Sequence, residues 1–314
     1  MIFKKTDKNN KKPKVVVILG TTSSGKTSLG VKLARKFNGE IVSADSRQVY
    51  RGLDIGTGKD LHEYLKGPSV VSYHLIDVAS PRQRFNLARF QGLAQQAINQ
   101  IINRQKIPFL VGGSGLYLQA LIDNYNLRAI TPNSVKRKLW ETWSADKLLA
   151  AINLKHPDFA SRLNNSDRHN PRHLVRYLEI IESGSLNNVM RREPEYNFLV
   201  LGLNYPADIL RQRIEIRLLN RLEKEGLIAE VWHLHKNGLS WKRLKSFGLE
   251  YKFVSGHLMG EISYKQLITE LTNAIYHFAK RQKTWFKRWE KQGLKINWLK
   301  NEKEAQVLIK RFIN

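Results

Sequence analysis

The chain has 314 residues, 42% hydrophobic and 25% charged, proportions of a folded soluble protein that exclude wholesale disorder. It contains no cysteine, which excludes a disulfide scaffold, a thiolate zinc site and a cysteine nucleophile together. Lys plus Arg outnumber Asp plus Glu by 53 to 27, a formal net charge of +26, and an excess of this size predicts attraction to a polyanion.

Residues 1–14 carry six lysines, one aspartate and no apolar run, so they read as a disordered basic arm rather than a secretory signal. No stretch reaches the ~18 apolar residues of a membrane span, and no segment is a clear basic amphipathic anchor. A cytoplasmic chain without membrane attachment is expected. Val15-Val16-Val17-Ile18-Leu19 is a short, continuous, β-branched run, the type of a strand buried on both faces. A loop over 20–24 follows, then Leu29, Leu33, Ala34 and Phe37 at helical spacing, stopped by Asn38-Gly39. Residues 40–44 and 73–77 read as further strands, and Leu87 to Ile102 as a helix with a strong apolar stripe. Residues 107–111 are another buried strand, with Pro108 near its start, where proline is tolerated. Alternating strands and helices predict a doubly wound parallel sheet over 15–130. Residues 131–197 turn Lys/Arg-rich with helical spacing and read as an inserted all-helical domain that ends in a loop. From 198 the chain supplies the last core strand and then C-terminal helices, including a long basic one over 264–292.

Gly20-Thr21-Thr22-Ser23-Ser24-Gly25-Lys26-Thr27 matches G-x-x-x-x-G-K-[ST], between a predicted strand and a predicted helix as the motif requires. The loop's N–H groups and the helix N-terminus would cradle a di- or triphosphate. Lys26 would add a point charge and the Thr27 hydroxyl would hold Mg²⁺. The fold expected is therefore α/β, a P-loop NTPase-like sheet with flanking helices. A phosphate loop does not name a reaction: kinases, NTPases and pyrophosphate-releasing transferases all use one.

Asp45 ends the second strand, on the side of the sheet where ligands bind. A carboxylate there is a Mg²⁺ partner, a general base or a helix-turn cap. Ser46, Arg47 and Gln48 beside it are polar groups able to hydrogen-bond a base edge. Gly112-Gly113-Ser114-Gly115 follows the strand at 107–111, and its three glycines suggest close backbone approach to a ligand. Asp77 reads as a loop cap and His74 as structural. In the 264–292 helix, Trp285, Phe286 and Trp289 read as core, whereas Lys280, Arg281 and the other cations read as phosphate contacts.

GTTSSGKT, DSRQVYRGLDIGTGK (45–59), HLID (74–77), GGSGLYLQAL (112–121), LRQRIEIRL (210–218), GLIAEV (226–231) and FAKRQKTWFKRW (278–289) occur in the order typical of tRNA dimethylallyltransferases. The chain resembles that family from Lys14 to about Trp298. The resemblance implies transfer of the dimethylallyl group of dimethylallyl diphosphate to N6 of the adenosine 3′-adjacent to the anticodon, in tRNAs reading codons that begin with U. It implies that residues 20–27 grip the donor's diphosphate and that Asp45 is the general base and touches the target base. It further places Ser114 beside the target adenosine, and Arg217 on the diphosphate, with Arg213 one turn earlier as the alternative. The insertion, Arg172, His173, Arg176 and Lys136 are implied to contact the anticodon stem-loop. Ser114 stands where the family commonly has threonine, and Leu249 where tyrosine is usual.

From below, the chemistry is coherent. An exocyclic adenine amine is a poor nucleophile and needs a base. A leaving diphosphate needs cations and amides, and an adenine in a stem-loop must be splayed out to react. Other readings are a small-metabolite kinase, which has no use for +26, and a non-catalytic RNA-binding P-loop protein. A monomer is expected.

Overall fold

The computed structural model describes residues 12–127, 133–184 and 193–314. Most of the expected N-terminal arm, residues 1–11, lies outside them, as do 128–130 at the end of the expected α/β core and 131–132 and 185–192 of the expected insertion and its loop. In chain order the elements are β1 (Lys14–Gly20), α1 (Lys26–Lys36), β2 (Gly39–Ser43), α2 (Leu61–Leu65), β3 (Tyr73–His74), α3 (Leu87–Asn103), β4 (Ile107–Gly112) and α4 (Gly115–Ile122). The next five are helices, α5 (Ser134–Trp140), α6 (Ala145–Lys155), α7 (Pro157–Arg162), α8 (Asn165–Arg168) and α9 (Pro171–Glu182). Strand β5 (Asn197–Leu203) leads into α10 (Ala207–Glu223), α11 (Leu227–Lys236), α12 (Trp241–Lys245), α13 (Leu249–Leu258) and α14 (Tyr264–Lys291). The chain closes with β6 (Asn297–Trp298) and α15 (Glu302–Ile313).

The six strands form one sheet in the order β3-β2-β4-β1-β5-β6, every neighbouring pair parallel. The expected parallel α/β architecture is present. β1 lies between β4 and β5, with Val16 opposite both Phe109 and Leu199. Its residues alternate between two cores, as strand geometry dictates. Val15, Val17 and Leu19 face a cluster with Phe90, Ala94 and Ile98 of α3, Leu118 of α4, and Phe286 and Trp289 of α14. Val16 and Ile18 face Val31, Leu33 and Ala34 of α1 and Ala305 and Ile309 of α15. A third core gathers the C-terminal helices around Ile214, Leu218, Val231, Val254 and Leu271, and Val49, Tyr50 and Leu53 join it.

The chain divides into two compact units, one of Met1–Ile122 with Pro194–Asn314, the other Asp123–Glu193. The contact boundaries thus fall at 123 and 193, where the hydropathy pattern puts them at 131 and 197. The second unit has its own core of Trp140, Leu148, Ile152, Leu174 and Leu178. The strand expected over 73–77 stops at His74, because Leu75 and Asp77 turn into the left-handed region with φ of 64° and 58°. β6, two residues long, has no periodic signature.

Trp285 is half-buried, while Phe286 and Trp289 are buried. Phe286→Ala is expected to cost about 3–5 kcal/mol in urea unfolding, the range for a lost core aromatic. The same change at Phe278, which is 39% exposed, should stay within about 1 kcal/mol.

Candidate active site

The phosphate loop leaves β1 at Gly20 and enters α1 at Lys26, through left-handed Ser23 and Gly25 at φ 58° and 81°. Lys26 Nζ donates to the Thr21 carbonyl at 3.2 Å. The Thr22 N–H donates to Gln282 Oε1 at 2.8 Å and the Ser24 N–H to the Thr21 carbonyl at 3.3 Å, so two loop amides are committed within the protein. The Ser23 carbonyl accepts from Arg213 Nε at 2.8 Å. Ser24 Oγ is buried with no hydrogen-bond partner among the described residues. Thr27 stands at the first turn of α1, half-buried.

Asp45 follows the end of β2. Its Oδ1 accepts the Arg47 N–H at 2.8 Å, and Oδ2 has no hydrogen-bond partner among the described residues. The Ser46 N–H donates to Ser114 Oγ at 3.1 Å, joining two strand ends. Arg47 is exposed. Gln48 is buried with its amide engaged at both ends: Oε1 accepts from Ser43 Oγ at 2.8 Å, and Nε2 donates to the Gly58 carbonyl at 2.9 Å. Protein packs tightly against the glycines at 112, 113 and 115. A Cβ on Gly112 would overlap the Ala44 carbonyl, one on Gly113 would crowd Gln282 Nε2, and one on Gly115 would strike the Trp285 ring. Protein packing alone requires glycine at each of the three.

These residues line one cavity of about 450 Å³. Thr22, Lys26, Thr27, Asp45, Ser46, Arg47, Gln48, Ser114, Arg217 and Arg281 all face it. The wall is completed by apolar side chains, Phe247, Leu249, Ile275 and Phe278. Arg217 is held by Asp60, with Nη2 donating to Oδ2 at 2.6 Å. Arg213 does not line this cavity; its guanidinium lies over Tyr205, 4.8 Å from the ring centre.

Burial pushes the Lys26 ammonium down to about 8; the Asp45 carboxylate works against that shift, and Arg217 and Arg221 add to it. An anion placed here would relieve three mutually repelling cations. No cluster of three or more His, Cys, Asp or Glu able to hold a metal occurs among the described residues. The oxygens on hand, the Thr27 hydroxyl and the Asp45 carboxylate in one cavity, suit a hard cation that takes few protein ligands and completes its shell with substrate phosphate and water.

Several supporting residues escape sequence reasoning. Gln282 on α14 accepts the Thr22 N–H and also donates to the Gly113 carbonyl at 2.8 Å. Glu230 accepts the N–H groups of Asp54, Ile55 and Gly56 and the Tyr251 hydroxyl. Lys59, with 1% of its side chain exposed, donates to the Tyr50 carbonyl and pairs with Asp54 and Asp77 at 2.5 Å each. Asp77, expected as a loop cap, is thus the anchor of a buried lysine. All three lie inside motifs quoted above, yet nothing in the spacing reveals their partners.

The remaining sequence-predicted contacts are distributed as follows. Lys280 and Arg281 are exposed on α14, and the cations lie over the rings of Tyr276 and Phe278 at 4.7 and 5.8 Å. In the second unit, Arg172 is exposed and His173 hydrogen-bonds Asp167 at 2.6 Å. Arg176 and Arg137 share the buried carboxylate of Glu179, at 3.0 and 2.5 Å. Lys136 pairs with Glu182.

The IPP transferase family model matches residues 48–289, and the isopentenyl transferase model matches 13–81. A tRNA dimethylallyltransferase of Geotalea uraniireducens is 42% identical, over 94% of this chain and 97% of the relative. One from Treponema denticola is 44% identical over the same shares. The crystal structure of the full-length tRNA isopentenylpyrophosphate transferase of Bacillus halodurans superposes with a TM-score of 0.68 at 33% identity, covering 96% of each chain. A eukaryotic dimethylallyltransferase crystallised acting on tRNA gives 0.74 at 27% identity, over 87% of this chain and 69% of that one.

Because an anion stabilises the charged form of Lys26, wild type should lose pyrophosphate affinity above about pH 8 as that ammonium deprotonates. Calorimetric titration across pH 6.5–9.5 reads this directly. Lys26→Arg, charged throughout, should remove the alkaline loss; an identical fall in both proteins would assign it to another group.

Proposed function

The chain belongs to the tRNA dimethylallyltransferase family, and from that premise we propose that it prenylates N6 of the adenosine 3′-adjacent to the anticodon, using dimethylallyl diphosphate. The observation that carries the reading is the single cavity in which the phosphate-loop Lys26 and Thr27, the carboxylate of Asp45 and an apolar wall come together. A kinase of a small metabolite would explain the loop but not the +26.

In this reading the N6–carbon bond forms as the allylic carbon–oxygen bond breaks, and diphosphate leaves with the electron pair. Asp45 takes the N6 proton through Oδ2, while the Arg47 N–H on Oδ1 fixes the carboxylate's orientation. Lys26, the free amides of residues 20–27 and Arg217 receive the charge that builds on the leaving group. Mg²⁺, held by Thr27, would neutralise part of that charge when bound. Phe247, Leu249, Ile275 and Phe278 keep water from the allylic carbon as positive charge develops there. Ser114, tied to the backbone of Ser46, flanks the flipped adenosine.

The tRNA would be gripped through its phosphates, by Lys280 and Arg281 on α14 and by Lys136, Arg172, His173 and Arg176 of the helical unit. Ser46, Arg47 and Gln48 would border the target base, Gln48 by holding the loop at 57–58 rather than by reading the base itself. No helix among the described residues is long and apolar enough to cross a membrane, and we infer a cytoplasmic monomer.

The test is one reaction: protein, Mg²⁺, dimethylallyl diphosphate and an unmodified tRNA, followed by digestion and mass spectrometry of the nucleosides. The expected product is an adenosine heavier by one five-carbon unit. Asp45→Asn should lower kcat by at least about 10²-fold while donor affinity stays near wild type. Turnover near the wild-type rate would remove Asp45 from the role of base, and ATP hydrolysis without prenyl transfer would favour a kinase.

A further inference from the structure

Three arginines follow one another at i, i+4 spacing along α10, and they differ in how they are satisfied. Arg213 donates to the Ser23 carbonyl. Arg217 is held by Asp60 at 2.6 Å. Arg221, the most buried at 6% exposure, makes no side-chain hydrogen bond among the described residues. Its one ion-pair partner there, Glu250, stands 3.5 Å away. A guanidinium carries five N–H donors, and leaving them unmet in a buried position is costly.

The surroundings add to the cost. Arg217 and Arg221 are like charges one helical turn apart, and Lys26 faces the same cavity. Room for both guanidinium groups is made by Gly58, in the left-handed region at φ 61°, where a Cβ would overlap the Nη2 atoms of Arg217 and Arg221 alike. Any other residue at 58 would meet both strain and overlap. A buried, weakly partnered cation that lines a cavity, beside a second one and next to a phosphate loop, is an arrangement completed by a polyanionic ligand.

We propose that Arg221 is a second guanidinium ligand of the donor's diphosphate, admitted by Gly58 and held in place by Glu250. This rests on the prenyl-transfer reading above and extends it, since neither the phosphate-loop motif nor the family resemblance points to position 221. The geometry gives each residue a task. Glu250 orients the guanidinium from 3.5 Å without saturating it. Arg217, already paired with Asp60, is the better-screened of the two cations. Arg221 then contributes most where negative charge grows, on the departing diphosphate.

The experiment measures pyrophosphate binding by calorimetry, and separate KM values for dimethylallyl diphosphate and for tRNA, in wild type, Arg221→Met and Arg221→Lys. Arg221→Met should weaken pyrophosphate and raise the donor KM about tenfold or more, with the tRNA KM within about twofold of wild type. Arg221→Lys, which keeps the charge and loses the fork, should recover part of the loss. If Arg221→Met does not fold, the lysine variant carries the test, with an expected severalfold rise in the pyrophosphate Kd. Unchanged pyrophosphate affinity in the folded variants, beside a wild type that binds and turns over, overturns the proposal alone. A wild type that binds neither pyrophosphate nor the donor overturns the prenyl-transfer reading and this proposal with it.

Discussion

The site depends on one buried side-chain amide. Gln282, near the middle of the long helix α14, accepts the N–H of Thr22 and donates to the carbonyl of Gly113, each at 2.8 Å. The two loops it spans follow the adjacent strands β1 and β4, whose C-terminal ends carry the phosphate loop and Ser114. Without Gln282, two backbone groups facing a crowded interior would lose their partners, and the loops their spacing. Two further constraints act alongside. Gly112 lets β4 run directly against the Ala44 carbonyl, and Ser114 Oγ takes the Ser46 N–H. The position of Asp45 is thus set by the strand ends on either side of it rather than by its own bonds.

Electrostatically the site is an excess of cations stabilised by a minimum of acid. Lys59 shows the opposite arrangement a short way off: a buried ammonium fully met by the Tyr50 carbonyl, Asp54 and Asp77. Among the described residues Lys26 Nζ has the Thr21 carbonyl as its one hydrogen-bond partner, and burial holds its pKa down at about 8. Both lysines sit in glycine-rich motifs, yet the fold meets one ammonium in full and leaves the other lining the cavity. What separates them is the number of partners the fold supplies.

Much of the fold was legible because the strands are buried on both faces and read as unbroken apolar runs. β1, β4 and β5 each match their expected runs to within a residue at either end. β3 was overestimated because left-handed residues at Leu75 and Asp77 carry no side-chain signature, and β6 is too short to have a period. At the site, the phosphate loop and Asp45 were legible from local order alone. Gln282, Glu230 and Arg221 were not, because each works through partners far along the chain, and sequence spacing does not encode which distant groups a helix will meet. The glycines of the 112–115 stretch carried a signal of close approach, and among the described residues the approaching groups are Ala44, Gln282 and Trp285.

The central strand β1 takes both its neighbours from later in the chain: β4 at 107–112, and β5 only after the helical unit, at 197–203. On the ribosome, then, one edge of the most apolar strand stays unpaired while the ~70 residues of that unit are made. That takes several seconds at about 5–20 residues per second. An open apolar edge is a template for wrong pairing with other chains. The helical unit, with a core of its own, can fold in that interval. The nascent first half cannot, and it has to be sheltered from its neighbours until β5 and then α14 arrive to close the sheet and join its loops. Truncated or stalled chains ending before 197 would consequently be the aggregation-prone species, whatever the stability of the finished protein.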